Sequence, residues 1–429
     1  CATWSRTDME PGFLDITDSN LQLWCGERHL SSPGYALLAG KDYRFGREAR
    51  ASARLEPRNI NTRYWWQLST EPLQPALGPA RHSADLVHAH LKQLHEEAGK
   101  PAELLLAAPG SMHRDQLSLL LGIVQQCAFD AVGLVHRSVA LGSAYGGSGR
   151  HFHLEVQLHQ ALVTEMTARD GEMVLEGSLP LPGCGFLQLQ ERLVEVIAAG
   201  FIRQTRFDPR RKAATEQQLY DALPDTLRTL RLEGECNLEV NGYRARVTRQ
   251  ELLAAGQRLF EGLSQAIGSS GGGDTLLVDP IAALLPGMAD QHPSMIELQR
   301  HDLHKALRTH LDRVVQRGQP LSFVTSLPCS TGGSTPVVET AAEPEPAPEP
   351  PPPPATHLLK GTQAVRLVDG AALCQGWAWV AADTGWTLRG EGPPPRVNDT
   401  DYRDGQLLGA GDRIALDGEV GALLIKVEE

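Results

Sequence analysis

The chain has 429 residues, 41% of them hydrophobic and 21% charged. That is too much apolar material for a disordered chain, and at roughly 100–200 residues per domain the length predicts two to four domains. Its 40 basic and 52 acidic side chains leave a formal charge of −12, the wrong sign for a protein that coats nucleic acid, and no run reaches the roughly 18 apolar residues that span a bilayer.

In chain order, Phe13–Ile16 and Leu21–Cys25 read as strands around the polar turn Thr17-Asp18-Ser19-Asn20. Ala84–Glu97 places Leu86, Val87, Leu91 and Leu94 at helical spacing. Glu103–Ala108 is a short apolar run closed by Pro109-Gly110, the pattern of a buried strand. A helix over Arg114–Gln126, a strand over Ala131–His136 and a helix opening at Val139–Tyr145 follow. Phe152–Met166 and Gly171–Ser178 read as a hairpin around Arg169-Asp170-Gly171. Helices are expected at Leu187–Ala199 and Gln250–Ile267, a strand at Thr275–Val278 after the glycine-rich turn Ser269–Gly273, and a largely helical stretch at Ile296–Arg317. Strands alternating with helices predict an α/β architecture.

Ala341–Ala355 reads AAEPEPAPEPPPPPA. Proline fixes φ and lacks an amide donor, so this stretch belongs to neither helix nor sheet and is expected to be an extended spacer. Beyond it, Val365–Val368, Trp377–Val380, Trp386–Arg389, Asp412–Leu416 and Ala422–Val427 read as short strands, with Trp377, Trp379 and Trp386 supplying a small β-sandwich or barrel core. The expected organisation is a large domain over 9–330, a Pro/Glu-rich linker over 331–356 and a small β-domain over 357–429.

The seven cysteines are scattered, with no C-x-x-C pair, so a zinc ribbon or dithiol redox centre is unsupported and a reducing, cytoplasmic setting is expected. Cys1 is read as a truncated or miscalled start with Met9 as initiator, a lipidated cysteine being the sharper alternative. There is no G-x-x-x-x-G-K-[ST] loop and no G-x-S-x-G elbow. His88 and His90, two apart on a helix, face different ways. His151, His153 and His159 share a strand face with Glu155 and Gln157. Such a face could carry a metal, but the reading preferred here is a solvated or cleft-lining polar face backed by Leu154, Val156 and Leu158.

Four segments in order carry a family resemblance. FLDITDSNLQL (Phe13–Leu23), FGREARASARLEPRNINT (Phe45–Thr62), Leu104–Tyr145, and Gln217–Leu263 with its Asn241-Gly242-Tyr243 hairpin and Thr248-Arg249 helix start resemble the nucleotide-binding domain of DnaK-type heat-shock chaperones, within the actin-like ATPase superfamily. The resemblance runs from about Gly12 to about Arg317 and implies a two-lobed α/β fold with duplicated ribonuclease-H-like lobes and ATP between them. Carried onto this chain, it marks Asp15, Thr17 and Ser19 in the first phosphate hairpin, Glu155 and Gln157 in the second, and Gly183, Gly185 and Asp279 as further nucleotide contacts. Asp15 and Glu155 are the implied Mg²⁺ holders.

The same comparison shows what is missing. Glycines let backbone amides approach phosphate oxygens, yet Thr17 stands at the first hairpin's glycine. The second hairpin, Glu155–Gln160, has no glycine. Asp279-Pro280 replaces a glycine pair, Tyr64-Trp65-Trp66-Gln67 lacks the family's lysine, and Arg137 stands where the family has a glutamate. Phosphoryl transfer depends on positioned cations and metal-bound oxygens. The expected function is therefore a degenerate, chaperone-like pseudo-ATPase that binds or scaffolds a protein partner, with no cofactor. A divergent ATPase holding Mg-ATP or Mg-ADP is the alternative. A further alternative is a phosphoprotein adaptor, because Val397-Asn398-Asp399 and Leu407–Ile414 resemble the end of a forkhead-associated domain. Neither a nucleic-acid partner nor a membrane span is expected.

Overall fold

The computed structural model describes residues 10–269, 273–329, 355–360, 363–374, 376–382, 385–391, 394–398, 400–415 and 422–426. Contacts divide the chain into two compact units, Cys1–Thr335 and Pro336–Glu429. The expected start at Met9, most of the proline-rich spacer, Asp399 and the centre of the Ser269–Gly273 turn lie outside the described residues.

The first unit is mixed α/β and contains two six-stranded sheets. In the first, Gly12–Asp15, Leu21–Cys25 and Arg28–Ser32 form an antiparallel meander. Glu103–Ala108 adds parallel to Gly12–Asp15, with Leu14 opposite Leu106, and Asp130–His136 adds parallel beyond it. The second sheet repeats this plan. Arg150–Val156, Gln160–Arg169 and Glu172–Pro182 form the meander, Thr275–Val278 runs parallel to Arg150–Val156 with Val278 opposite Leu154, and Ile296–Glu297 runs parallel beyond that. Phe323–Val324 and Ser326–Pro328 close one edge of each sheet.

Side-chain alternation along the strands builds the layers. Leu14, Leu23, Leu104 and Leu106 point to one face of the first sheet, under the helices Ser83–Glu97 and Arg114–Val124. Phe13, Trp24, Leu105 and Ala107 point to the other, where they share a core with Val135, Met166, Leu277 and the helix Asp302–Thr309. The second sheet's remaining face packs Leu154, Val156 and Val163 on Phe186–Thr205, Ala213–Glu233 and Gln257–Ile267. Both sheets therefore meet one central core. The ends of their middle strands come together there, which places the site.

Several expected boundaries shift. Phe152–Met166 is not one strand: it turns at Gln157-Leu158-His159 into a hairpin, because the Leu158 amide is captured by Asp18 and its side chain is fully buried. Gln250–Ile267 is broken by a tighter turn over Leu253–Gly256, consistent with the weak helix preference of Gly256. Ile296–Arg317 is a short strand and two short helices, Asp302–Thr309 and Leu311–Val314. The helix expected from Val139 starts at Arg137 and ends at Gly142. The turn at Asp170-Gly171 has both residues at positive φ, the geometry that a two-residue hairpin favours.

In the second unit the described residues form a six-stranded and a three-stranded antiparallel sheet. Trp379, Leu388, Tyr402, Leu408 and Ile414 are buried in its core, with Trp377 and Trp386 packed against them. Asn398 accepts from the Arg413 amide and donates to Asp412, while the Gly409 amide donates to Asp412. These bonds lock the two turns that carry the Val397-Asn398 and Gly409–Asp412 segments. Among the described residues no helix is long and apolar enough to cross a membrane, and five cysteines are free.

Candidate functional site

The site lies where Gly12–Asp15, Asp130–His136, Arg150–Val156 and Thr275–Val278 end. Asp15 closes the first of these strands, Arg137 follows the second directly, Glu155 sits near the end of the third, and Asp279 follows the fourth. Parallel pairing within each sheet and the shared core between the sheets deliver these four side chains to one point. All four are buried: Asp15 0%, Glu155 1%, Arg137 5% and Asp279 5% exposed.

Arg137 is the hub. Its Nε donates to Asp15 Oδ1 at 2.7 Å. One terminal nitrogen donates to Asp279 Oδ2 at 3.0 Å and approaches Glu155 Oε2 at 3.4 Å, and the other donates to Asp279 Oδ1 at 3.2 Å. The planar guanidinium suits such a forked, two-oxygen grip. His153 completes the cluster. With its proton on Nε2, the ring donates to Asp279 Oδ1 at 3.1 Å and accepts the Ser138 hydroxyl on Nδ1 at 2.8 Å. Glu155 Oε1 accepts from Thr17 Oγ1 and from Gln157 Nε2, each at 2.9 Å.

The electrostatics follow from three carboxylates sharing one guanidinium away from water. Burial raises Asp15 to about 6 against the lowering pull of Arg137, and the neighbouring Asp279 and Glu155 charges add to the rise. Burial also works to raise Asp279, but Arg137 and His153 outweigh it and hold it at about 2. Burial disfavours the Arg137 charge, yet the surrounding carboxylates push the guanidinium well above its ordinary value. The cation is therefore permanent, and Asp15 takes up a proton as the pH falls through about 6.

The turns that the resemblance marks as phosphate hairpins bond to each other. Asp18 Oδ1 accepts from the Leu158 amide at 2.7 Å, and Thr17 reaches Glu155. Ser19 is buried beside them at 8% exposure. Gly183 and Gly185 lie at the junction of Glu172–Pro182 with the helix Phe186–Thr205. A Cβ at Gly185 would come within 2.3 Å of the His159 carbonyl carbon, so this glycine serves a backbone–backbone approach. The helix's first amides donate to the carbonyls of Gln157 and Leu158 and so face protein.

Trp65 and Trp66 occupy the side of the site where the family's lysine is sought. Together with Asp18, Ser111 and Gln157 they line a cavity of about 10 Å³, room for roughly one water and far below the several hundred Å³ of a typical small-ligand pocket. Trp66 stacks on His159 with ring centroids 5.0 Å apart. Elsewhere in the unit, Arg54 lies over the Tyr220 ring at 3.9 Å. Its amide donates to Gln217 Oε1, and Gln217 in turn donates to the Arg50 carbonyl. The two halves of the unit thus touch through these residues as well as through the Arg137 cluster.

Asp15, Thr17, Glu155, Gln157 and Asp279 come together, with Ser19 alongside, while Gly183 and Gly185 support the second turn. His151 and His153 share the buried face of Arg150–Val156, but His159 lies past the turn and bonds Thr62. Among the described residues no group of three His, Cys, Asp or Glu side chains is arranged to hold a metal. Arg137 stands out in the sequence only as a substitution; its place at the end of a buried parallel strand was the available sign of a central role. Asp18, hidden in a polar turn, gave no sign. No protein-family model and no curated protein matches the chain.

Proposed function

We propose that the first unit is a degenerate, heat-shock-chaperone-like pseudo-ATPase that serves as a protein-binding or scaffold element. The actin-like, two-lobed reading is supported by the repeated sheet plan, a three-strand meander extended by two parallel strands in each half. Loss of nucleotide chemistry is supported above all by Arg137. A guanidinium already bridges Asp15, Glu155 and Asp279, so the carboxylates that would face Mg²⁺ face a fixed cation instead. A second cation between Asp15 and Glu155 would stand against that guanidinium at short range in a low-dielectric interior. The residues present do not fit Mg-nucleotide.

The arrangement serves well as a rigid joint. It ties both sheets at one point through charge-assisted bonds, which gives a surface of fixed shape for a partner. The second unit, with Val365, Val368 and Leu407 about half exposed, is proposed as an accompanying protein-interaction module. Calorimetric titration of the full chain with Mg-ATP and Mg-ADP, followed by a phosphate-release assay, tests the reading. No saturable heat and no release up to millimolar nucleotide is expected. Micromolar binding with turnover abolished by Asp15→Ala would overturn it.

A further inference from the structure

The small cavity beside the Arg137 cluster has a chemistry of its own. Asp18 lines it, and although Oδ1 accepts the Leu158 amide, Oδ2 is buried without a hydrogen-bond partner. Trp65, Trp66 and Met112 form apolar walls, and Ser111 and Gln157 supply polar atoms. An unpaired buried carboxylate is costly unless something positive or protic reaches it. The walls present aromatic surface, whose negative face attracts cations and repels anions. A phosphate is the wrong charge for this pocket. A guanidinium or an adenine ring is too large for about 10 Å³ of inner space, whereas one ammonium head is close to the size of a water.

The walls are held in place before any ligand arrives. Trp65 Nε1 donates to His90 Nδ1 at 3.1 Å. Trp66 is fixed by its stack on His159, a ring that burial keeps at about 4 and therefore uncharged at neutral pH, so no positive ring stands behind the wall. Gln157 donates to Ser111 Oγ at 2.8 Å, leaving that hydroxyl oxygen one further lone pair to offer. The pocket is open on one side, so an aliphatic stem can trail outward behind the head.

We propose that this pocket receives the ammonium head of a lysine side chain presented by a protein partner, with Asp18 Oδ2 as its counter-charge and Trp65 and Trp66 as its walls. The assignment rests on the protein-binding part of the reading above and is independent of whether nucleotide binds.

The test follows the indole N–H resonances of the ¹⁵N-labelled full chain, with the Trp66 signal assigned through Trp66→Phe. Probes are N-acetyl-lysine methylamide, its Nε-acetylated form, and methylammonium chloride, all at matched ionic strength and at pH 8, above the value of about 7 to which burial raises Asp18. Saturable shifts of Trp65 and Trp66 with the lysine compound are expected in the millimolar range. They should weaken at least tenfold in Asp18→Asn, whose amide oxygen still accepts from Leu158, and vanish with the acetylated form. Equal shifts with the acetylated form, or an unchanged titration in Asp18→Asn, would overturn the proposal. Shifts with methylammonium and none with the lysine compound would assign the pocket to a free small amine and also overturn it. Because nucleotide is absent from every arm, failure here leaves the calorimetric test of the pseudo-ATPase reading intact.

Discussion

The turn after Gly12–Asp15 and the turn after Arg150–Val156 hold equivalent places in two sheets of the same strand order, yet they bond through different groups. The first reaches across with side chains, Thr17 to Glu155 and Asp18 to the Leu158 amide. The second answers with a backbone amide and a strand carboxylate. Paired turns can cradle an anion only if their amides stay free to point at it. Here each turn satisfies the other, and Arg137 from the first sheet neutralises carboxylates from both. A symmetric plan with asymmetric chemistry turns a cleft into a joint.

Breaking the joint at its hub should have the largest effect. Arg137→Met removes the guanidinium shared by Asp15, Glu155 and Asp279, and a buried pair that loses one partner typically costs about 3–5 kcal/mol. Denaturant unfolding at pH 7 should show that loss. The deficit should shrink toward pH 5, where Asp15, raised to about 6 even with Arg137 beside it, takes up a proton.

Asp18→Asn probes the bond between the turns and has the opposite sign. Burial raises Asp18 to about 7 from an unfolded value near 3.8. The folded state therefore binds the extra proton, and that contribution to stability is complete below the unfolded value and lost as pH rises through about 7. At pH 8 the wild type carries the full cost of a buried carboxylate. Asparagine keeps the acceptor for Leu158 without the charge, so the variant should be more stable there by on the order of 3 kcal/mol, falling toward zero near pH 4. Unfolding midpoints measured across that range check it.

Gly185→Ala tests the second turn alone. Its methyl would press on the His159 and Gln160 backbone at 2.3 and 2.5 Å, which overpacks the turn and should cost about 1–3 kcal/mol. Thermal unfolding should report this with little change in pH dependence. Arg54→Ala should matter least. Its ion pairs to Glu191 and Glu216 are both 3.8 Å long and partly exposed, so about 1 kcal/mol or less is expected. Faster amide exchange around Arg50 and Gln217 would show that this contact had loosened.

Much of the frame was legible from residue pattern. Glu103–Ala108 reads as a buried strand because an apolar run of that length ends at Pro109-Gly110, and it is found with those bounds. The helix Ser83–Glu97 follows from the spacing of Leu86, Val87, Leu91 and Leu94. The hairpin at Gln157–His159 was hidden because its polar alternation runs on through the turn. Alternation reports which face a residue takes and says nothing of where the chain reverses. The strands Ala36–Ala39 and Asp42–Phe45 are too short to impose a period on their neighbours, and Pro72–Leu77 carries two prolines and a mostly exposed, non-alternating pattern.

The site divides the same way. Replacement of hairpin glycines by Thr17 and by the Glu155–Gln160 run is a property of the residues themselves, since a Cβ and a branched backbone preference travel with the residue wherever it folds. So is the presence of an arginine at 137. What that arginine does was decided only in three dimensions. Asp15, Glu155 and Asp279 lie 122, 18 and 142 positions from it in sequence, and their meeting depends on two sheets converging on one core. At that meeting point, which no local pattern encodes, the surrounding carboxylates hold the guanidinium charged against its burial, desolvation raises Asp15, and Asp18 is left with one oxygen unanswered.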